Sequence, residues 1–150
     1  MSEPVPLPDT VERARMANTR HEGGSLEMFA PPQAHILVTR AIGHMTRQMA
    51  EVWVERAEAL FTPTSGPLAI FNEWSAMSSY EPDSRRLLTR WVLDHKKRIE
   101  GAWFLMSSKI VVVGVAIAGL ATATAGITMH ASLNRQAWEH ILQERLTRSR

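Results

Sequence analysis

The chain has 150 residues, of which 45% are hydrophobic, and it carries 17 Lys and Arg against 15 Asp and Glu, a formal net charge of +2. This length fits one domain with a buried core. The positive residues are spread along the chain, which argues against nucleic-acid binding because such proteins gather Lys and Arg into patches. The absence of cysteine excludes disulfides, thiolate metal sites and a cysteine nucleophile.

The N-terminal segment does not have the pattern of a secretion signal. Its first ten residues, MSEPVPLPDT, include acidic residues and prolines where a signal peptide needs a basic start and an apolar run. We therefore expect a cytoplasmic location. Because residues 1–24 contain few large apolar residues, we predict a flexible tail over 1–24, one domain over 25–147 and a short tail over 148–150.

From Ser25 onward, strand-like and helix-like segments alternate. A hairpin is predicted on either side of Pro31-Pro32, from the runs LEMFA and AHILVTRAIG. A helix follows from Thr46, the predicted cap, to the region of Pro63, because its apolar residues recur at helical spacing.

The second half of the chain continues this alternation. Buried strands are predicted in LAIFNEW and AWFLMS, and amphipathic helices in EPDSRRLLTRWVLDHKKRI and LNRQAWEHILQERL. The pattern predicts an α/β domain with crossover helices around a sheet.

One long apolar stretch, SSKIVVVGVAIAGLATATAGITMH, admits two interpretations. No charged residue lies between Lys109 and Arg135, and Ile110–Met129 has the length of a membrane span, about 20 residues. The alternation of elements instead divides the stretch into a helix over Lys109–Ala125, a stop at Gly126 and a strand in ITMHA. That helix would rise only about 25 Å, less than the ~30 Å hydrocarbon core.

The predicted helix has large residues on one side and small residues on another, but no polar face. Val113, Ile117 and Leu120 lie on the large side, and Gly114 and Ala118 on the small side. A surface helix normally has a polar face, so we expect this helix to be covered on both sides. We hypothesise that Val113, Ile117 and Leu120 form an apolar interface with a second copy of the chain.

Three segments carry a resemblance to a known family. They are IFNEWSAMSSYEPDSRRLLTRW, FLMSSKIVVVGVAIAGLATATAG and LNRQAWEHIL, which contain an acidic-Trp pair, a Tyr-acidic loop, a Ser-Lys helix start and an Arg-x-x-aromatic-Glu segment. With the order of the elements, they resemble the STAS domain of sulphate transporters and anti-sigma-factor antagonists, most closely a mostly uncharacterised bacterial group. The resemblance covers about residues 25–146. It implies a STAS-like mixed sheet with crossover helices and an N-terminal hairpin, in which the apolar helix belongs to a soluble domain.

The resemblance also implies a candidate phosphorylation site. Antagonist-type STAS domains carry a phosphorylatable serine in an Asp-Ser pair at the start of the helix after this strand, and Asp83-Ser84 is the nearest equivalent here. A phosphate on Ser84 would meet free N–H groups at the helix start, whereas Glu81 and Asp83 would repel it. The alternative is that Asp83 and Ser84 only cap the helix. Asn72 departs from the Asp of those domains, and the predicted loop over 72–84 is longer than theirs.

That loop is also the predicted partner-binding surface, unless it is merely solvated. Its candidate residues are Ser75, Ser78, Ser79, Tyr80 and Asp83. The six histidines show neither zinc spacing nor a helical i, i+4 pair, and no Gly-rich phosphate loop or catalytic triad can be assembled. We therefore expect no metal, no cofactor and no catalytic residue.

The sequence thus predicts a non-catalytic regulatory or protein-interaction module of STAS-like type, with a protein partner or a homodimer. Two alternatives stay open. One is a single-pass inner-membrane protein anchored through Ile110–Met129. The other is a binder of small apolar ligands or lipids, since the related lipid-transfer-like architecture can shelter them near such a helix.

Overall fold

The computed structural model describes residues 5–32 and 35–148, which form a six-stranded mixed sheet with helices on both faces. The elements in chain order are α1 (Asp9–Glu12), β1 (Arg15–His21), β2 (Gly24–Phe29), β3 (Ile36–Met45), α2 (Arg47–Phe61), β4 (Leu68–Tyr80), α3 (Pro82–Asp94), β5 (Ile99–Met106), α4 (Lys109–Ala123), β6 (Met129–Ser132) and α5 (Arg135–Arg148).

The strands lie in the sheet in the same order as in the chain. The first three pair antiparallel, so β2 and β3 form the predicted hairpin, and β3 to β6 pair parallel. Parallel neighbours need a crossover connection, and α2, α3 and α4 each supply one. Since such crossovers share one hand, the three helices cover the same face of the sheet.

The larger core lies between that face and the three crossover helices. Trp53 of α2 meets Trp91 of α3 edge to face, with ring centroids 5.0 Å apart, and its indole N–H donates to Oγ1 of Thr39 at 2.8 Å. Each tryptophan is at most 4% exposed. Burial of two such large rings makes a major contribution to the stability of this half of the domain.

A second core covers the opposite face of the sheet. Trp138 and Leu142 of α5 are buried there beside Phe71, whose ring centroid is 6.0 Å from that of Trp138. The indole N–H of Trp138 donates to the carbonyl of Trp103 at 3.1 Å. The final helix was predicted to be amphipathic, and its apolar stripe is the part that closes this second core.

The prediction of a flexible tail over residues 1–24 is wrong for most of the part that the structure describes. Strand β1 pairs with β2, and Leu7 and Val11 are 3% and 0% exposed in the second core. The sequence of β1, RMANTRH, is polar, so it lacks the apolar alternation by which a strand is recognised. Residues 1–4 lie outside the described residues; at the other end Arg148 still belongs to α5, and 149–150 are not described.

The prediction of a loop between Asn72 and Ser84 is also wrong. Strand β4 runs for 13 residues to Tyr80, and α3 begins at Pro82. The extension pairs only with β3, whose last residue, Met45, lies opposite Tyr80. The serines and the glutamate of this segment led to the prediction of a loop, because such polar residues are common in loops.

The apolar stretch forms a helix, a turn and a strand, as the alternation of elements predicted. Helix α4 ends at Ala123, and Met129 is already the first residue of β6. Within residues 5–32 and 35–148, no helix is both long enough and apolar enough to cross a bilayer. The alternative of a span over Ile110–Met129 is therefore not supported.

Candidate functional site around helix α4

The outer face of α4 carries a row of exposed apolar side chains. Ile110, Val113, Ile117 and Leu120 are 58%, 57%, 45% and 76% exposed. Their spacing of three, four and three residues is that of the a and d positions of a coiled coil, which place apolar side chains along one line of a helix. We call this row the α4 seam. It contains the three residues that the sequence singled out as an apolar interface.

The residues that flank the α4 seam are small and uncharged. Ala116, Ala121 and Ala123 are exposed beside it, and Lys109 at the first position is the only charged residue of the helix. Isolated apolar residues on a surface are normal, whereas a continuous apolar row without charges is unusual on the surface of a monomeric protein.

The inner face of α4 lies close to the strand that precedes α3. Gly114 is buried against Tyr80, so closely that a Cβ at Gly114 would lie 2.6 Å from Cζ of the tyrosine. Gly119, by contrast, has no atom within 4 Å of a hypothetical Cβ. Among the small residues predicted on one side of this helix, Gly114 therefore has a definite role: the lack of a side chain lets the tyrosine ring contact the helix backbone.

Substitution of these two glycines by alanine is expected to have opposite effects. Gly119→Ala should raise the free energy of unfolding by up to about 1 kcal/mol, since glycine weakens a helix interior. Gly114→Ala should lower it by about 1–3 kcal/mol, because the added methyl group displaces the ring of Tyr80. Urea denaturation of both variants measures this difference, and equal stabilisation by both would contradict the observed contact.

A cavity of about 70 Å³ lies between α3, α4 and the sheet. We call it the α3–α4 cavity. Its wall is almost entirely apolar; among the contributing residues are Met45, Met77, Phe104, Val115 and Met129. Arg85, Leu88 and Thr89 of α3 also line it and are only partly buried, so the cavity approaches the surface beside α3.

The residues of the predicted partner-binding loop are held mainly by contacts within the molecule. Ser107 donates to the carbonyl of Ser75 at 2.5 Å, and Ser108 to that of Ser78 at 3.1 Å. Ser79 is hydrogen-bonded to His44 at 2.7 Å.

The last two of these candidates differ in exposure. Tyr80 lines the α3–α4 cavity. Asp83 is half-exposed and pairs with Arg86 at 2.8 Å and Arg47 at 3.7 Å. These residues therefore join β4 to its neighbours and do not form one free surface.

The candidate phosphorylation site, Ser84, is buried in the first turn of α3. It is 1% exposed, and its hydroxyl donates to the carbonyl of Glu81 at 2.6 Å. A kinase reaches this hydroxyl only if the turn opens. The alternative was that Asp83 and Ser84 only cap the helix. The N-cap residue is instead Glu81, and no side chain accepts a hydrogen bond from the backbone at this helix start.

A buried ionic cluster that the sequence did not reveal joins β4 to α5. The carboxylate of Glu73, whose side chain is 2% exposed, lies 3.2 Å from Arg135 and accepts hydrogen bonds from both the backbone and the hydroxyl of Ser75. Arg135 also pairs with Glu139 at 3.1 Å. The acidic-Trp pair supplies Glu73 of this contact and the Arg-x-x-aromatic-Glu segment supplies Arg135. The presence of both motifs in one sequence was the feature from which the contact could have been predicted.

Neither a protein family nor a curated protein matches the sequence itself. The structure is similar to the crystal structure of an uncharacterised DUF3478-family protein with a SpoIIAA-like fold from Shewanella loihica PV-4. The TM-score is 0.57 at 10% identity, over 81% of this chain and 94% of the other. The chain has a SpoIIAA-like fold.

This SpoIIAA-like, or STAS-like, fold agrees with the mixed sheet and hairpin that the resemblance implied. At 10% identity the similarity concerns the fold alone. Function therefore has to be argued from the α4 seam, the α3–α4 cavity and the ionic contacts described above.

Proposed function

We propose that this chain is a non-catalytic protein-interaction module of STAS-like fold, and that the α4 seam binds a second copy of the chain. The observation that carries the proposal is the row of four large apolar side chains, each 45% or more exposed, on a helix with one charged residue. Covering such side chains removes apolar surface from water at roughly 25 cal/mol per Å².

A second copy fits the chemistry of the α4 seam for two reasons. An apolar, uncharged row is complementary to itself, as the identical surfaces of a two-fold dimer must be. In an antiparallel pair of helices, the two copies of Lys109 would lie at opposite ends, separated by about the 22 Å length of a 15-residue helix. Like-charge repulsion would then be small, and the alanines beside the seam would let the helices approach closely.

Replacement of Ile117 by Glu tests this proposal, because in an antiparallel pair residue 117 faces the apolar middle of the other seam and not Lys109. Two copies of the helix would then have to bury unpaired carboxylates. We therefore expect the dissociation constant of the dimer to rise at least about tenfold. Light scattering coupled to size exclusion, over a micromolar concentration series, measures the mass directly.

The control is Leu133→Glu, which introduces the same charge at another exposed apolar residue, 73% exposed but outside α4. We expect this variant to dimerise like the wild type. A monomeric wild type throughout the series, or an Ile117→Glu variant that stays dimeric, would rule the proposal out.

Regulation by phosphorylation of Ser84 stays a prediction within this proposal. It requires the first turn of α3 to open, since the hydroxyl is buried and already hydrogen-bonded. Mass spectrometry of the chain after incubation with candidate kinases tests it, and an unmodified peptide containing Ser84 would remove the switch from the proposal.

A further inference from the structure

Three residues that line the α3–α4 cavity each have a buried polar atom with no hydrogen-bond partner in the described part of the chain. The atoms are Oδ1 of Asn72, Nε1 of Trp74 and Nε of Arg85. Asn72 is 3% exposed as a whole. Buried polar groups nearly always have a partner, and one left without it costs about 1–3 kcal/mol. Three such groups around one cavity make it a candidate binding site for a polar or charged partner.

A ligand of this cavity would have to accept from two donors, one of them cationic. The guanidinium of Arg85 and the indole N–H of Trp74 can only donate hydrogen bonds, whereas the unpartnered atom of Asn72, Oδ1, can only accept one. A ligand that accepts from Arg85 and Trp74 therefore serves these two groups and not Asn72. A carboxylate offers two acceptor oxygens and the charge that pairs best with arginine.

The charge environment of Arg85 also favours an anion. Its neighbour Arg86 pairs with Asp83 at 2.8 Å, but Arg85 has no ion pair among the described residues. Arg85 lies in the first turns of α3, where the helix dipole adds positive potential. Of the two acidic residues near this helix start, Asp83 is already neutralised by Arg86 and Arg47, which leaves Glu81 as the opposing charge.

The rest of the ligand has to be apolar and small. The cavity wall is formed largely by hydrocarbon, and its volume of about 70 Å³ is about half that of the engineered ~150 Å³ cavity that binds benzene. Met45, Met77 and Met129 line it. Methionine side chains change conformation readily, so the cavity can enlarge slightly around a short alkyl chain.

We propose that the α3–α4 cavity binds a small monocarboxylate with an apolar body, such as a short-chain fatty acid. The alkyl chain occupies the apolar cavity, and the carboxylate pairs with Arg85 and accepts the indole N–H of Trp74. This site is separate from the α4 seam, because its α4 residues, Val111, Gly114, Val115 and Ala118, lie on the inner face of the helix.

Binding of hexanoate, hexanol and hexylamine to the full chain tests the proposal by isothermal titration calorimetry. We expect hexanoate to bind, hexanol to bind more weakly, and hexylamine not to bind, because only the carboxylate satisfies Arg85. In heteronuclear NMR spectra, hexanoate should also shift the indole N–H signal of Trp74, assigned with a Trp74→Phe variant.

Two variants and one control separate the contributions. Arg85→Gln should weaken hexanoate binding about tenfold or more, as loss of a charged hydrogen bond implies, and leave hexanol binding unchanged. The control Arg90→Gln, which changes an exposed arginine elsewhere on α3 that does not line the cavity, should bind hexanoate like the wild type. Ala118→Leu should fill the cavity from α4 and abolish binding of both hexanoate and hexanol.

Several results would overturn the proposal. They are no binding of hexanoate to the wild type, equal affinity for hexanoate and hexanol, or equal affinity in Arg85→Gln and the wild type. Binding that survives Ala118→Leu in a folded variant would place the ligand elsewhere. Circular dichroism establishes that each variant is folded before its titration.

Discussion

Replacement of Arg40 by alanine is expected to lower the free energy of unfolding by about 3–5 kcal/mol, because it leaves a buried carboxylate without its partner. Arg40 is 4% exposed on β3 and lies 2.9 Å from Glu27 and 3.0 Å from Glu12. Its guanidinium also lies over the ring of Phe29, 5.3 Å from the centroid. One side chain thus joins β2, β3 and α1, so its loss affects the whole N-terminal part of the fold.

An exposed arginine provides the control for this prediction. Arg47 pairs with Glu51 at 3.0 Å, but its side chain is 60% exposed, so Arg47→Ala should cost less than about 1 kcal/mol. Guanidinium denaturation of both variants gives the comparison. A loss below 1 kcal/mol for Arg40→Ala would mean that Glu27 finds solvent or Arg15, which lies 3.1 Å from it, as a sufficient partner.

Replacement of Arg135 by alanine is expected to have an effect of similar size, about 3 kcal/mol, because it leaves the carboxylate of Glu73 buried and uncompensated. The contact joins the sheet to α5, which covers the second core. The double variant Arg135→Ala, Glu73→Gln should recover much of this loss, since a neutral amide at position 73 can still accept the hydrogen bonds of Ser75.

The matched control for Arg135 is Glu139→Ala. This substitution removes the more exposed of the two carboxylates that Arg135 contacts, so it should cost less than about 1 kcal/mol. Thermal and urea unfolding distinguish the three variants. If the double variant is no more stable than Arg135→Ala alone, packing of the arginine stem is the cause of the loss, and the buried charge is not.

The parts of the fold that sequence reasoning predicted are those with a strong local period. The strands β2, β3 and β5 and the helices α2, α3 and α5 have apolar residues at a recognisable spacing, because each buries one or both of its faces. The division of the long apolar stretch into α4 and β6 followed instead from the alternation of strands and helices and from the family resemblance, because α4 has no polar face.

The elements that were missed are polar ones. Strand β1 and the end of β4 hold their place through backbone pairing with a neighbouring strand and through side-chain hydrogen bonds. Backbone pairing is available to any residue type except proline, so these elements leave little trace in composition.

The candidate site likewise has one part that the sequence predicted and one part that it did not. The α4 seam was predicted as Val113, Ile117 and Leu120 because side chains that lie on one face of a helix recur along the sequence. A binder of small apolar ligands was one of the alternatives that the sequence left open. The residues of the α3–α4 cavity were not predicted, since its wall combines residues of β3, β4, β5, β6, α2, α3 and α4. The volume left between them depends on how closely the elements pack.

The sequence by itself determined the alternating α/β architecture and the apolar row on α4, because both follow from local periodicity. Only the tertiary structure decided that Arg40 meets Glu27 and that Arg135 meets Glu73. It also decided that Nε of Arg85 lies beside an apolar cavity with no hydrogen-bond partner among residues 5–32 and 35–148. The physical reason is that the energy of a charge depends on its burial and on its neighbours in space, which are set by chain segments far apart in sequence.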